Sequence, residues 1–200
     1  MVDYGLLKIK SMSTRFEHPQ EDNSIYFVTF TCYDWLHLFE TTDTYNLIYK
    51  WFDVLYGKGV RVTGYVTMPN HFHGLLYFPI MPQAINTVIG NAKRFMAYEI
   101  IEKLEASNQK KILQRLKDAV KPNEKKKGQL HKVFEDSFDA KKCYSKDFIL
   151  QKLDYIHANP IRGRWQLVNQ YTDYKHSSAG FYEETDTTAY QRLKHIGELL

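Results

Sequence analysis

The order in which strand-like and helix-like segments follow one another is the strongest constraint on this chain. The run Ile25-Tyr26-Phe27-Val28-Thr29-Phe30-Thr31-Cys32-Tyr33 is dense in β-branched and aromatic residues and predicts a buried strand. Thr41-Thr42-Asp43 can cap a helix that runs to about Leu55, with Leu47, Trp51 and Leu55 at four-residue steps. Gly57-Lys58-Gly59 ends it. Val60 to Met68 is strand-like, Pro69-Asn70 is a turn signal, and His71 to Phe78 predicts a third strand. From about Gln83 to Leu104 the residues Ile85, Val88, Ile89, Ala92, Phe95, Met96 and Ile100 form one apolar helical stripe. Gln129 to Phe138 reads as a fourth strand. Ser145 caps a last helix, Lys146 to about Ala158, which Pro160 stops. Strand, helix, strand, strand, helix, strand, helix is the split βαβ order. The predicted class is α+β: a ferredoxin-like antiparallel sheet with helices on one face, a lysine-rich helical insertion and a C-terminal extension.

Length fits this reading. The 200 residues, with 44% apolar and 25% charged residues, suffice for one domain with a real core. The expected division is an N-terminal extension over 1–23, a single domain over 24–185 that contains the basic insertion at 107–130, and a tail over 186–200. Two cysteines, Cys32 and Cys143, exclude a disulfide framework and a four-cysteine zinc site. No run approaches the ~18–20 apolar residues of a membrane span. The apolar patch Tyr4-Gly5-Leu6-Leu7 is too short for a secretory segment. The expected compartment is therefore the cytoplasm, with no membrane partner.

Charge is uneven along the chain. The net charge is +4, yet residues 107–133 hold nine cations against Asp118 and Glu124, a net +7. Such a run is commonly a solvated face. Lys93 and Arg94 add positive charge on the preceding helix. Thirty aromatic residues, 15 of them tyrosine, make a basic and aromatic-rich chain compatible with nucleic acid.

Two short segments carry candidate chemistry. In Met68-Pro69-Asn70-His71-Phe72-His73, strand alternation puts His71 and His73 on one face, where two neutral imidazoles can hold a divalent ion. The spacing alone fits two solvent-facing histidines equally well. In Asp154-Tyr155-Ile156-His157-Ala158-Asn159-Pro160, Tyr155 and Asn159 share a helix face one turn apart. A core tyrosine and an ordinary helix stop would produce the same letters.

Taken together, the segments resemble a known family. Val66-Thr67-Met68-Pro69-Asn70-His71-Phe72-His73-Gly74-Leu75-Leu76 is similar to the HUH strand of the single-tyrosine transposases, especially the REP-associated tyrosine transposases. Leu153-Asp154-Tyr155-Ile156-His157-Ala158-Asn159-Pro160-Ile161-Arg162 resembles their tyrosine helix. Tyr174-Lys175-His176-Ser177-Ser178 with Tyr182 is similar to the Ser-Ser…Tyr element that follows it. The resemblance spans roughly Tyr26 to Tyr182. It implies that His71, His73 and Asn159 hold Mg²⁺ or Mn²⁺ and that Tyr155 is the nucleophile. In insertion-sequence relatives the third ligand is commonly Gln. The implied activity is metal-dependent cleavage and transfer of single-stranded DNA at a hairpin or REP-like palindrome, through a 5′-phosphotyrosine intermediate. Lys93, Arg94, Lys125, Lys126, Lys127 and Arg162 are the expected DNA-binding cations. A nucleoid-associated bacterial protein, monomer or homodimer, is the implied setting. The competing expectations are a catalytically idle, transposase-derived hairpin-binding protein and a small RNA-binding domain. The chain lacks the glycine-aromatic strand motif of the latter.

Overall fold

The structure, a computed structural model, describes residues 21–81, 83–185 and 187–200. Most of the expected 1–23 extension therefore lies outside the described residues.

Four strands form one antiparallel sheet: β1 (Ser24–Thr31), β2 (Arg61–Met68), β3 (His71–Phe78) and β4 (Asp139–Cys143), in the order β2-β3-β1-β4. This is the ferredoxin-like arrangement. The helices are α1 (Leu38–Thr41), α2 (Asn46–Gly57), α3 (Ile85–Ala106), α4 (Lys110–Asp118), α5 (Pro122–Lys125), α6 (Lys146–Ala158) and α7 (Ala179–Tyr182).

Alternation along β1 explains why its sequence is apolar almost throughout. Tyr26, Val28 and Phe30 enter one core with Ile48, Phe52 and Leu55 of α2 and Val88, Ile89 and Met96 of α3. Ile25 and Phe27 enter a second core on the opposite face, with Leu75 of β3 and Ile149, Leu153 and Ile156 of α6. The two helices of the split βαβ unit thus share one face, as expected, and α6 closes the other. Gly64 admits α6 this closely, since a Cβ there would stand 2.6 Å from Leu153 Cδ1.

Element ends follow local chemistry. Helix α2 stops where Gly59, at φ +84°, takes the left-handed conformation. Val60 N donates to Leu55 O and Gly59 N to Tyr56 O, both at 3.0 Å, a Schellman closure. Thr41-Thr42-Asp43 does not cap α2. It forms the exit of α1, with Thr42 Oγ1 donating to Leu38 O at 2.6 Å. Ser145 does cap α6, accepting from Phe148 N at 3.2 Å.

The fourth strand is displaced from its predicted place. Residues 129–138 are extended but pair with β1 and its continuation only through the single bridge Cys32–Phe134 and neighbouring bonds such as Tyr33 N to Val133 O. Val133 and Phe134 are apolar because they plug the α2–α3 core, whereas the true edge strand, Asp139–Cys143, is polar. The basic insertion is folded. Leu116 of α4 is buried in the same core, and three of the nine cations are neutralised: Arg115 by Asp34, Lys121 and Lys132 by Asp136. The expected tail beyond 185 packs back on the domain, with Tyr190 and Ile196 buried and Lys194 N bonded to Val62 O at 3.0 Å.

Candidate active site

The β2–β3 hairpin and α6 meet at one end of the sheet. Register pairs His71 with Thr31 and His73 with Thr29 across β1. Both histidines face α6, and their rings lie 4.8 Å apart. From α6, Tyr155 reaches over them, with Oη 3.5 Å from His73 Nε2. Asn159, in the turn that continues α6, is buried and interacts with the His71 ring. The structure therefore brings together His71, His73, Tyr155 and Asn159, drawn from segments more than 80 residues apart.

Burial keeps the imidazoles neutral. Loss of hydration lowers the pKa of His71 to about 4, opposed in part by Asn159. It holds His73 well below the ordinary histidine value, assisted by His71 and Lys152. Each ring is also oriented. Asn70 Oδ1 is 2.6 Å from His71 Nδ1 and can only accept, so Nδ1 carries the proton and Nε2 keeps its lone pair. Thr29 Oγ1 lies 2.7 Å from His73 Nδ1, which leaves Nε2 toward Tyr155. Partners of this kind commonly orient metal-binding histidines.

The donor set fits a divalent ion: two neutral imidazole nitrogens and one amide oxygen, with room for substrate oxygens. Among the described residues no three His, Cys, Asp or Glu side chains come together, so Asn159 is needed to complete such a site.

Tyr155 itself is 40% exposed and open to a substrate. Lys152, one turn before it, places Nζ 5.7 Å from the Tyr155 ring and 4.8 Å from that of Phe27, and Phe27 stacks on His73 at 5.6 Å. The (i, i+3) spacing on α6 carries that signal in the sequence. Thr29, Trp35, Trp165 and Arg164 also surround the histidines, and only the folded register shows them.

The expected DNA-binding cations separate. Lys125, Lys126, Lys127, Arg94 and Arg162 are exposed. Arg162 follows Asn159 directly in the next turn, whereas Arg94 lies on α3, which covers the sheet face away from α6. Lys93 is partly buried. Its ammonium donates to Glu135 O, lies 5.9 Å from the Phe138 ring, and has its pKa lowered to about 8 by burial. It fastens the 129–138 segment to α3 through that bond.

The Ser-Ser…Tyr element has a structural role. Ser177 bridges to Val66, and Thr67 N donates to His176 O at 2.8 Å. Ser178 Oγ accepts from Tyr65 N at 2.9 Å and lies 2.9 Å from His157 Nε2 on α6. Tyr182 Oη donates to Thr63 O. The element ties α6 to the β2 edge and so fixes Tyr155 relative to the histidines.

The fold and site define an α+β protein with a histidine pair on a central strand facing a tyrosine-bearing helix. Among solved structures, the chain is similar to a REP-associated tyrosine transposase bound to a REP hairpin. The TM-score is 0.55 at 14% identity, over 91% of this chain and 98% of that one. It also matches a candidate transposase from Deinococcus radiodurans R1, with a TM-score of 0.37 at 18% identity over 72% of this chain and 95% of that one. No protein-family model matches the chain, and no curated protein does. The first likeness shows that the chain shares the fold of that protein. Among the described residues, no helix is long and apolar enough to cross a membrane.

Proposed function

We propose that the protein is a metal-dependent single-stranded DNA endonuclease and strand transferase of the HUH single-tyrosine kind. It acts beside hairpin or palindromic DNA, as a REP-associated tyrosine transposase does. The observation that carries the reading is the convergence of Tyr155 Oη on the neutral His71–His73 pair, 3.5 Å from His73 Nε2. The hairpin bound in the similar structure supports the choice of substrate.

In this reading the Tyr155 oxygen attacks the scissile phosphorus. A P–O bond to tyrosine forms and the P–O3′ bond breaks. The phenolic proton leaves to water, and the 3′-oxygen takes one up. The phosphotyrosine conserves the phosphodiester bond energy, so the reverse attack by a 3′-hydroxyl can join strands. Mg²⁺ or Mn²⁺ held by His71, His73 and Asn159 would polarise the phosphate and offset charge on the departing oxygen. Asn70 and Thr29 keep the imidazoles aimed, and the buried α6 anchor keeps Tyr155 at a fixed distance from them. Arg162, Lys125, Lys126 and Lys127 supply exposed charge for the DNA backbone.

Incubation of the protein with a labelled single-stranded hairpin oligonucleotide and Mn²⁺ tests this. The expected result is an SDS-stable adduct that is lost with chelator and in Tyr155→Phe, while Tyr155→Phe still binds the DNA. Binding without any adduct would instead identify an idle hairpin-binding protein, and preference for RNA would overturn both.

A further inference from the structure

Beside the histidine pair the surface carries an aromatic and cationic cluster that the strand-cleavage chemistry leaves unused. Trp35 is 53% exposed, although a large apolar core lies next to it. Its ring stands 5.7 Å from that of His71. Trp165 stands 6.2 Å from the same histidine and 5.4 Å from His37. The exposed guanidinium of Arg164 lies 5.9 Å from the Trp35 ring and 5.4 Å from the Trp165 ring. Among the described residues Arg164 forms no ion pair.

The turn that presents Trp35 is held at a conformational cost. Asp34 and Trp35 have φ of 52° and 55°, a region bulky side chains rarely enter. Such a turn persists only when its surroundings over-determine it. Here three contacts do so. Asn70 Nδ2 donates to Trp35 O at 2.9 Å, Asp34 N donates to Glu135 Oε1 at 2.8 Å, and the Asp34 carboxylate pairs with Arg115. The same buried Asn70 side chain that orients His71 therefore also fixes the backbone of Trp35. Pairing with Arg115 offsets the charge of the carboxylate that adjoins Trp35 in the chain.

We propose that Trp35 and Arg164 form a subsite for one unpaired nucleotide of the DNA. The base stacks on the exposed indole and its phosphate meets the guanidinium. The closeness of Trp35 to His71 sets this nucleotide next to the scissile phosphate. The inference rests on the DNA-cleaving reading and adds the element that selects an unpaired base there. Aromatic faces accept any base, and one stack commonly changes affinity by about tenfold or more. Trp165, 5.4 Å from the guanidinium, flanks Arg164 as well.

Binding of dT12 and of an abasic dT12, the same backbone without bases, tests the subsite without requiring the native hairpin. Of the three tryptophans, Trp51 is buried, so quenching of indole emission reports on Trp35 and Trp165. In the wild type, dT12 is expected to quench emission and bind about tenfold more tightly than the abasic strand. Trp35→Ala should reduce that ratio to near one while abasic affinity stays unchanged. Trp35→Phe, which keeps an aromatic face, should retain most of it. Arg164→Ala should weaken both strands and lower the salt slope by about one. Retention of the full base preference in a folded Trp35→Ala overturns the subsite alone. Failure of dT12 to bind the wild type overturns the subsite, whereas the DNA-cleaving reading is overturned only when the hairpin oligonucleotide itself forms no adduct.

Discussion

Asn70 and His71 are neighbours in the chain, and their side chains are bonded to each other, Oδ1 to Nδ1 at 2.6 Å. A strand normally points successive side chains to opposite faces. The contact arises because Asn70 belongs to the Pro69-Asn70 turn, where the side chain folds back over the hairpin. Replacing Asn70 by Ala removes the acceptor that fixes the His71 tautomer and the donor that holds Trp35. Mn²⁺ affinity, measured by calorimetry, should fall about 10- to 100-fold. An unchanged affinity would show that His71 orients without it.

Lys152 places a cation 5.7 Å from the Tyr155 ring. Lys152→Met keeps the aliphatic stem over Phe27 and removes the charge. Adduct formation should slow about tenfold at neutral pH, with Mn²⁺ affinity equal to or above wild type, since Lys152 also repels charge at His73. Single-turnover rates with labelled hairpin DNA check this.

Ser178 joins β2 to α6 through one hydroxyl. It serves Tyr65 N and His157 Nε2 in a fully buried setting. Ser178→Ala strands both partners, and a buried unsatisfied group costs about 1–3 kcal/mol. The thermal midpoint should drop by about 2–12 °C. A midpoint within 1 °C or so of wild type would indicate that water replaces the hydroxyl.

Acid should destabilise the protein through His176. Burial lowers its pKa to about 4, Lys175 lowers it further, and Asp43 opposes. Its ring stacks on Tyr45 at 3.9 Å and its Nδ1 lies 2.7 Å from Tyr49 Oη. The unfolded chain takes up this proton near pH ~6.5, before the folded one does. The stabilisation is therefore present above about 6.5 and is lost as the pH falls toward about 4. Thermal midpoints measured across that window should decline, and His176→Gln should flatten the decline.

How much of this was legible depended on where the physical signal resides. Strand His71–Phe78 and helix Lys146–Ala158 were readable to the residue, because a proline turn and a serine cap mark their starts. The edge strand Asp139–Cys143 was not. It contains Asp, two Lys and little apolar alternation, because one side faces water, while Val133 and Phe134 imitate a strand by plugging the core. His71, His73, Tyr155 and Asn159 stood out because the segments that carry them, weak singly, together resemble one family. Trp35, Thr29 and Arg164 did not, since each reaches the site through strand register or a turn with no periodicity of its own. The bond of Lys93 to Glu135 O was not legible either, because a positive charge in sequence carries no sign of what it meets in the fold.

The Ser177–Ser178 strap has a consequence for how copies of this chain can meet. By bonding Tyr65 and Thr67 it occupies part of the outer rim of β2, and the opposite rim, β4, is only five residues long and carries Asp139, Lys141 and Lys142. Short, charged or covered rims resist strand addition from another molecule. The sheet is thus guarded against growth at both margins. Neither rim of the sheet therefore offers a long, bare row of backbone donors and acceptors to a second copy.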